Sequence, residues 1–164
     1  MNPQEISKLF ESRPVATIEQ RLRAARQGQN AGYPTRFRID PVIAVDGWKE
    51  LYRSLIQKMK DLGLTPGVIT LGTYRVIERS LPSLRMFGDT PPMDTKVLVP
   101  TGESKEQRRL RYPDAIRKEI YSYILGIIRD AFPGVPIGLC KETRWMRTAL
   151  GYTDKDIACN CTVF

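Results

Sequence analysis

The stretch Thr35-Arg36-Phe37-Arg38-Ile39-Asp40-Pro41 alternates apolar Phe37 and Ile39 with Arg36 and Arg38 until Asp40-Pro41 stops the run. That alternation predicts a short strand over about residues 35–39. Trp48, Leu51, Tyr52, Leu55, Ile56, Met59 and Leu62 then recur at three- and four-residue intervals, with Gly63 where a carboxyl-terminal cap belongs, so a helix follows. Val68-Ile69-Thr70-Leu71, bounded by Pro66-Gly67 and Gly72, is a second β-prone run. Strand, helix, strand in that order implies parallel strands joined by a right-handed crossover, and hence an α/β layer or barrel.

The same alternation extends outward in both directions. Upstream, Thr17-x-x-Gln20 has the form of a capping box, and Ile18, Leu22 and Ala25 predict a helix over about residues 18–30. Downstream, Tyr74 to Leu81 is expected to form a brief helix, and Pro82 to Gly102 is rich in turn residues with only Lys96 to Val99 extended. A long irregular insertion over about residues 82–112 is thus expected, and such segments are usually functional or mobile. Pro113 suits a first helical position, after which Ile116, Ile120, Ile124, Ile127 and Ile128 line one face up to Phe132-Pro133. Val135 to Leu139 is a third candidate strand, Glu142 to Leu150 a last helix, and residues 151–164 a tail with Asp154, Asp156, Cys159 and Cys161. No repeat or second-domain boundary interrupts residues 1–164, so one domain is expected. Three such strands cannot close a barrel by themselves.

Composition narrows the chemistry. The 164 residues carry 26 Lys plus Arg against 18 Asp plus Glu, a net charge of +8, and no histidine. Without an imidazole, Ser-His-Asp and Cys-His nucleophile systems and HExxH metal sites are excluded. No stretch has the roughly 18 apolar residues of a membrane span, and Met1 to Phe10 has no signal-peptide core, so a cytoplasmic location is expected. Three cysteines, Cys140, Cys159 and Cys161, form an odd set at one end and suit a reducing compartment. Lys105, Arg108, Arg109, Arg111, Arg117 and Lys118 are offset only by Glu106 and Asp114. Such a run is either a solvated face or a phosphate-recognition surface. Asp40, the Gly72-Thr73 pair and Cys140-Lys141-Glu142 each follow a predicted strand, where parallel α/β folds bind ligands, although ordinary turns and caps would look the same. Trp48, Tyr52, Tyr121 and Tyr123 stand at helical spacings and are expected in the core or on its flank.

Residues 31–43, from Ala31-Gly32-Tyr33-Pro34 to Pro41-Val42-Ile43, and Gly47-Trp48-Lys49-Glu50-Leu51-Tyr52 resemble the later strands of the spore photoproduct lyase-like radical SAM family. Asn2-Pro3-Gln4-Glu5-Ile6 is similar to the end of that family's fourth strand, Val68-Ile69-Thr70-Leu71-Gly72-Thr73 to its sixth, and Arg111-Tyr112-Pro113 through Leu139-Cys140-Lys141-Glu142 to its carboxyl-terminal region. The resemblance implies the carboxyl-terminal half of a radical SAM partial TIM barrel, an incomplete parallel (β/α) barrel with a carboxyl-terminal extension. It further implies S-adenosylmethionine and a [4Fe-4S] cluster in the complete enzyme, and radical repair of thymine-dimer lesions in DNA.

The family's CxxxCxxC cluster motif does not occur in this sequence. The chain alone is therefore expected to hold neither group, and its implied partners are an amino-terminal half, from the same gene or a separate chain, and DNA. By resemblance Asn2, Ile39, Asp40, Gly72 and Thr73 face the cofactor. Arg111 and Tyr112 face the substrate, with Lys105, Arg108 and Arg109 on flanking phosphates. Arg111 and Tyr112 lie outside the isoleucine stripe of the helix that follows, so they are expected to be free for a ligand. No residue is assigned to catalysis, and no metal ligand is assigned. The alternative is a non-catalytic basic nucleic-acid-binding or assembly domain.

Overall fold

The computed structural model describes residues 1–11, 15–77, 98–101 and 109–153. In chain order the elements are α1 (Gln4–Phe10), α2 (Ile18–Asn30), β1 (Arg36–Val42), α3 (Trp48–Asp61), β2 (Val68–Thr73), β3 (Arg75–Ile77), β4 (Val99–Thr101), β5 (Arg109–Arg111), α4 (Asp114–Ala131), β6 (Ile137–Leu139) and α5 (Arg144–Ala149). The three strands expected from the sequence pair in the order β1-β2-β6, all parallel. The register sets Phe37 against Ile69, Ile39 against Leu71, and Leu71 against Leu139.

Period-two alternation then sorts the residues onto two faces. Phe37, Ile39, Ile69, Leu71, Ile137 and Leu139 share one face and are all in the core. Arg38, Asp40, Thr70, Gly72, Gly138 and Cys140 fall on the other, which is polar. All six residues of β2 are buried, as befits a central parallel strand.

The helices form for the reasons read in the sequence. At the start of α2 the Gln20 amide donates to Thr17 Oγ1 and the Thr17 amide to Gln20 Oε1, completing the capping box. Tyr52, Leu55, Ile56 and Met59 of α3 and Ile120, Tyr121, Ile124, Leu125 and Ile128 of α4 are buried. Pro113 is the N-cap of α4 rather than its first residue. Trp48 and Tyr123 meet edge to face at 5.4 Å on the flank, while Tyr52 and Tyr121 are fully inside.

Three features depart from expectation. Arg75–Ile77, expected to begin a helix, is a strand, because its β-prone Val76 and Ile77 find a partner in β5. Within the stretch expected to be irregular, β4 and β5 join β3 in an antiparallel sheet ordered β3-β5-β4. Gln4 to Ile6, which the resemblance matched to the end of a strand, instead begin helix α1, with Ile6 buried. Lys105, Arg108, Cys159 and Cys161 lie outside the described residues. No helix among those described is long and apolar enough to cross a membrane.

Candidate functional site

The carboxyl ends of β1, β2 and β6 meet at one rim, and two ionic clusters stand there. In the first, Arg38 shares a face with Asp40 because the two are separated by one residue on a strand. Arg38 donates to Asp40 Oδ2 from Nη2 at 2.6 Å and from Nε at 3.1 Å. Arg75, just past β2, reaches back with Nη1 to Oδ1 at 3.1 Å and Nη2 to Oδ2 at 3.2 Å. Cys140 completes the cluster, its Sγ lying 2.9 Å from Arg38 Nη2 and 3.7 Å from Arg75 Nη2. Burial would raise the Asp40 pKa, but hydrogen bonds and charge from Arg75 and Arg38 outweigh it and hold the carboxyl below its ordinary value. Burial pushes the Cys140 thiol up, and the Asp40 charge adds to that against the two guanidiniums.

The second cluster is deeper. The Glu142 carboxylate, 1% exposed, accepts from Arg117 Nη1, from Arg111 Nη1 at 3.4 Å, from the Thr143 amide at 2.8 Å and from the Tyr121 hydroxyl at 2.9 Å. Tyr121 in turn accepts from the Thr73 amide at 3.1 Å, which ties the end of β2 to α4. Arg117 Nη2 also pairs with Asp114. Burial lowers the Arg111 pKa, with Arg117 and Arg75 acting in the same direction against Glu142. The Nε atoms of Arg111 and Arg117 are buried with no hydrogen-bond partner.

The clusters are joined by a cross-strand pair. Arg75 and Arg111 stand directly opposite each other in β3 and β5. Like charges in that position repel, and each guanidinium is held by its own carboxylate, Asp40 or Glu142. Four guanidiniums therefore crowd a rim with two buried carboxylates and the peripheral Asp114, an environment that favours anions such as phosphate or carboxylate.

Gly72 is what lets the first cluster form. A Cβ there would lie 2.6 Å from Asp40 Oδ1, 2.7 Å from its Cγ and 3.0 Å from Arg75 Nη1. The Asp40 side chain is short and held by two arginines, so it cannot step aside without breaking the pairs. Gly72→Ala is expected to destabilise the chain by about 1–3 kcal/mol, read as a lowered midpoint in urea unfolding. An unchanged midpoint would mean that Asp40 relaxes freely.

The residues assigned from the sequence are distributed as follows. Asp40, Gly72 and Thr73 do converge at the rim, beside Cys140. Ile39 is in the core and faces the helices. Asn2 is buried, its Oδ1 accepting at 2.9 Å from the Tyr52 hydroxyl, which also accepts from the Ile43 amide at 3.0 Å. The expectation that Arg111 and Tyr112 are free of packing is corrected. Both are buried, Arg111 against Glu142 and Tyr112 with its hydroxyl accepting from the Ala44 amide at 3.1 Å. The basic run is likewise no uniform surface, since Arg117 is also inside and Arg109 only half-buried. Arg38, Arg75 and Glu142 were not singled out as a group. The i, i+2 spacing of Arg38 and Asp40 could have paired those two, whereas nothing local points to Arg75.

The family profile described as spore photoproduct lyase matches residues 1–82, a span that contains Asn2, Asp40, Gly72, Thr73 and Arg75. The chain belongs to the spore photoproduct lyase family. No curated protein sequence matches it. Among solved structures, a spore photoproduct lyase complexed with dinucleoside spore photoproduct matches with a TM-score of 0.72 at 20% identity, over 85% of this chain and 42% of that one. A substituted lyase with bound AdoMet and dinucleoside spore photoproduct gives 0.73 at 21% identity, over 87% and 43%. At such identities the likeness is one of fold, and the chain spans less than half the length of those lyases.

The donor set can be tested against the iron-sulfur cluster implied by the resemblance. Among the described residues no group of three or more His, Cys, Asp or Glu is arranged to hold a metal ion. Cys140 is the one cysteine among the described residues, and a single thiol cannot supply the several thiolates that such a cluster needs. The described residues of this family member do not fit that cluster.

Proposed function

We propose that this chain is the carboxyl-terminal half of a spore photoproduct lyase-like radical SAM enzyme that repairs thymine-dimer lesions in DNA, with an incomplete (β/α) barrel finished by an amino-terminal partner. The observation that carries the reading is the family match over residues 1–82 together with a parallel sheet whose polar residues gather at one rim. S-adenosylmethionine would lie along the carboxyl ends of β1 and β2, near Asn2, Ile39, Asp40, Gly72 and Thr73. The side-chain atoms of Asp40 are taken up by arginines, so the contact from residues 39–41 is a backbone one. The cluster belongs to the partner, since CxxxCxxC is absent here. By the family resemblance Arg111 and Tyr112 would face the substrate, with Lys105, Arg108 and Arg109 supplying phosphate contacts; Arg111 is buried on Glu142, so taking a phosphate would require it to give up that pair.

The test is anaerobic: the chain alone, and the chain co-expressed with a polypeptide carrying CxxxCxxC from a family member, are assayed for 5′-deoxyadenosine and for reversal of a dinucleoside spore photoproduct. Product from the pair and none from the chain alone is the expected result. Product from neither, with the two polypeptides purifying as a stable complex, would favour the second reading, a basic nucleic-acid-binding domain without catalysis. That reading is supported by the net charge of +8.

A further inference from the structure

The rim also carries a feature that neither ionic cluster uses. Trp145, in the first turn of α5 just beyond the carboxyl end of β6, is 58% exposed. Tryptophan is enriched at contact surfaces because its large ring buries apolar area while its N–H can stay hydrated. The ring is displayed on a fixed support. Met146 beside it is fully buried, the Met146 amide donates to Thr143 Oγ1 at 3.2 Å, and Arg147 Nη2 donates to the Leu139 carbonyl at 2.9 Å, clamping α5 to the end of β6.

Two cations stand close to it in sequence. Lys141 and Arg144 are both exposed, and the Glu142 carboxylate between them is turned inward onto Arg117, Arg111 and Tyr121. A rigid exposed indole with cations four residues before it and next to it in sequence combines the two elements that bind single-stranded nucleic acid: a π-face for a base and charge for the backbone.

We propose that Trp145 is a base-stacking platform, with Lys141 and Arg144 on the adjoining phosphates, and that its partner is a nucleic-acid strand presenting an unpaired base. The choice of nucleic acid rests on the proposed function, whereas the surface is identified by Trp145 and its neighbours. Tyr33 provides an internal comparison. It is 70% exposed but precedes the amino end of β1, at the opposite end of the sheet.

The full chain is titrated onto a fluorescein-labelled oligo(dT) strand and onto a duplex of the same length, with anisotropy read at several salt concentrations. Trp145→Ala is expected to weaken strand binding by about 5- to 150-fold while leaving the salt dependence unchanged. Trp145→Phe retains most of the affinity, and Tyr33→Ala binds as the wild type does. Lys141→Ala with Arg144→Ala lowers the salt slope by about 1.4, two contacts on a single strand. Wild-type affinity in Trp145→Ala, or no strand binding by the wild type, overturns the proposal. Loss of binding in Trp145→Ala together with a negative lyase assay keeps the platform and removes the lyase reading. Normal binding in Trp145→Ala with a positive assay does the reverse.

Discussion

Glu142→Ala is expected to destabilise the chain by about 3–5 kcal/mol, the largest effect of any substitution at the rim. The carboxylate is 1% exposed and receives two guanidiniums, a tyrosine hydroxyl and a backbone amide. Removing it leaves Arg111 with no carboxylate, Arg117 with only the exposed Asp114, and the Tyr121 hydroxyl without its acceptor. Arg111 and Arg117 already carry unpartnered Nε atoms, so neither has a spare partner to turn to. The penalty is that of stranding buried charge, which differs from the net worth of the network. Glu142→Leu combined with Arg111→Leu and Arg117→Met, which removes charge and counter-charge together, is therefore expected to recover most of the loss. Urea unfolding followed by circular dichroism measures both. A Glu142→Ala variant within about 1 kcal/mol of the wild type would mean that water reaches the cluster and screens it.

The network also explains which parts of the structure could be read in advance. The parallel sheet was legible because β1 and β2 are long enough to show a pattern, alternation in Arg36–Ile39 and a continuous buried run in Val68–Leu71, and because α2, α3 and α4 each show a helical period. The antiparallel sheet was not. Arg75–Ile77, Val99–Thr101 and Arg109–Arg111 are three residues each, too short for a period, and their composition mixes arginine and proline with the β-formers.

Of the rim, Asp40, Gly72, Thr73 and Cys140 followed from the rule that strand ends carry ligands. Burial of Arg111 and Arg117 did not, because the charge that draws them inward comes from Glu142, 31 and 25 residues further on. A basic run in sequence carries no sign of a distant acid folded into it. The same blindness applies to Tyr52 and Tyr121, correctly expected in the core, whose hydroxyls nonetheless hold Asn2 and Glu142.

Asp40→Asn is expected to lower the Cys140 thiol pKa, which burial and the Asp40 charge hold above its ordinary value. In the native cluster the sulfur lies 2.9 Å from Arg38 Nη2 and 3.7 Å from Arg75 Nη2, and cations at that range favour a thiolate. They fail to produce one because burial opposes it and because Asp40 claims both guanidiniums, adding a negative charge beside the sulfur. Asparagine keeps the shape and one oxygen acceptor while deleting that charge. The sign follows directly: burial is unchanged, the repulsion is gone, and two guanidiniums lose their competing anion, so the thiol pKa falls. Loss of a like charge beside the sulfur favours the thiolate, so the thiolate fraction at a given pH rises. Ultraviolet thiolate absorbance followed across pH, in a chain with Cys159→Ser and Cys161→Ser, reads this without requiring a reagent to reach a buried sulfur. Adding Arg38→Met to Asp40→Asn should return the titration toward the native value, since it removes the nearer cation. A titration unmoved by Asp40→Asn would mean that the guanidiniums swing away once the carboxylate is lost, and that the contact to sulfur depends on Asp40 rather than opposing it.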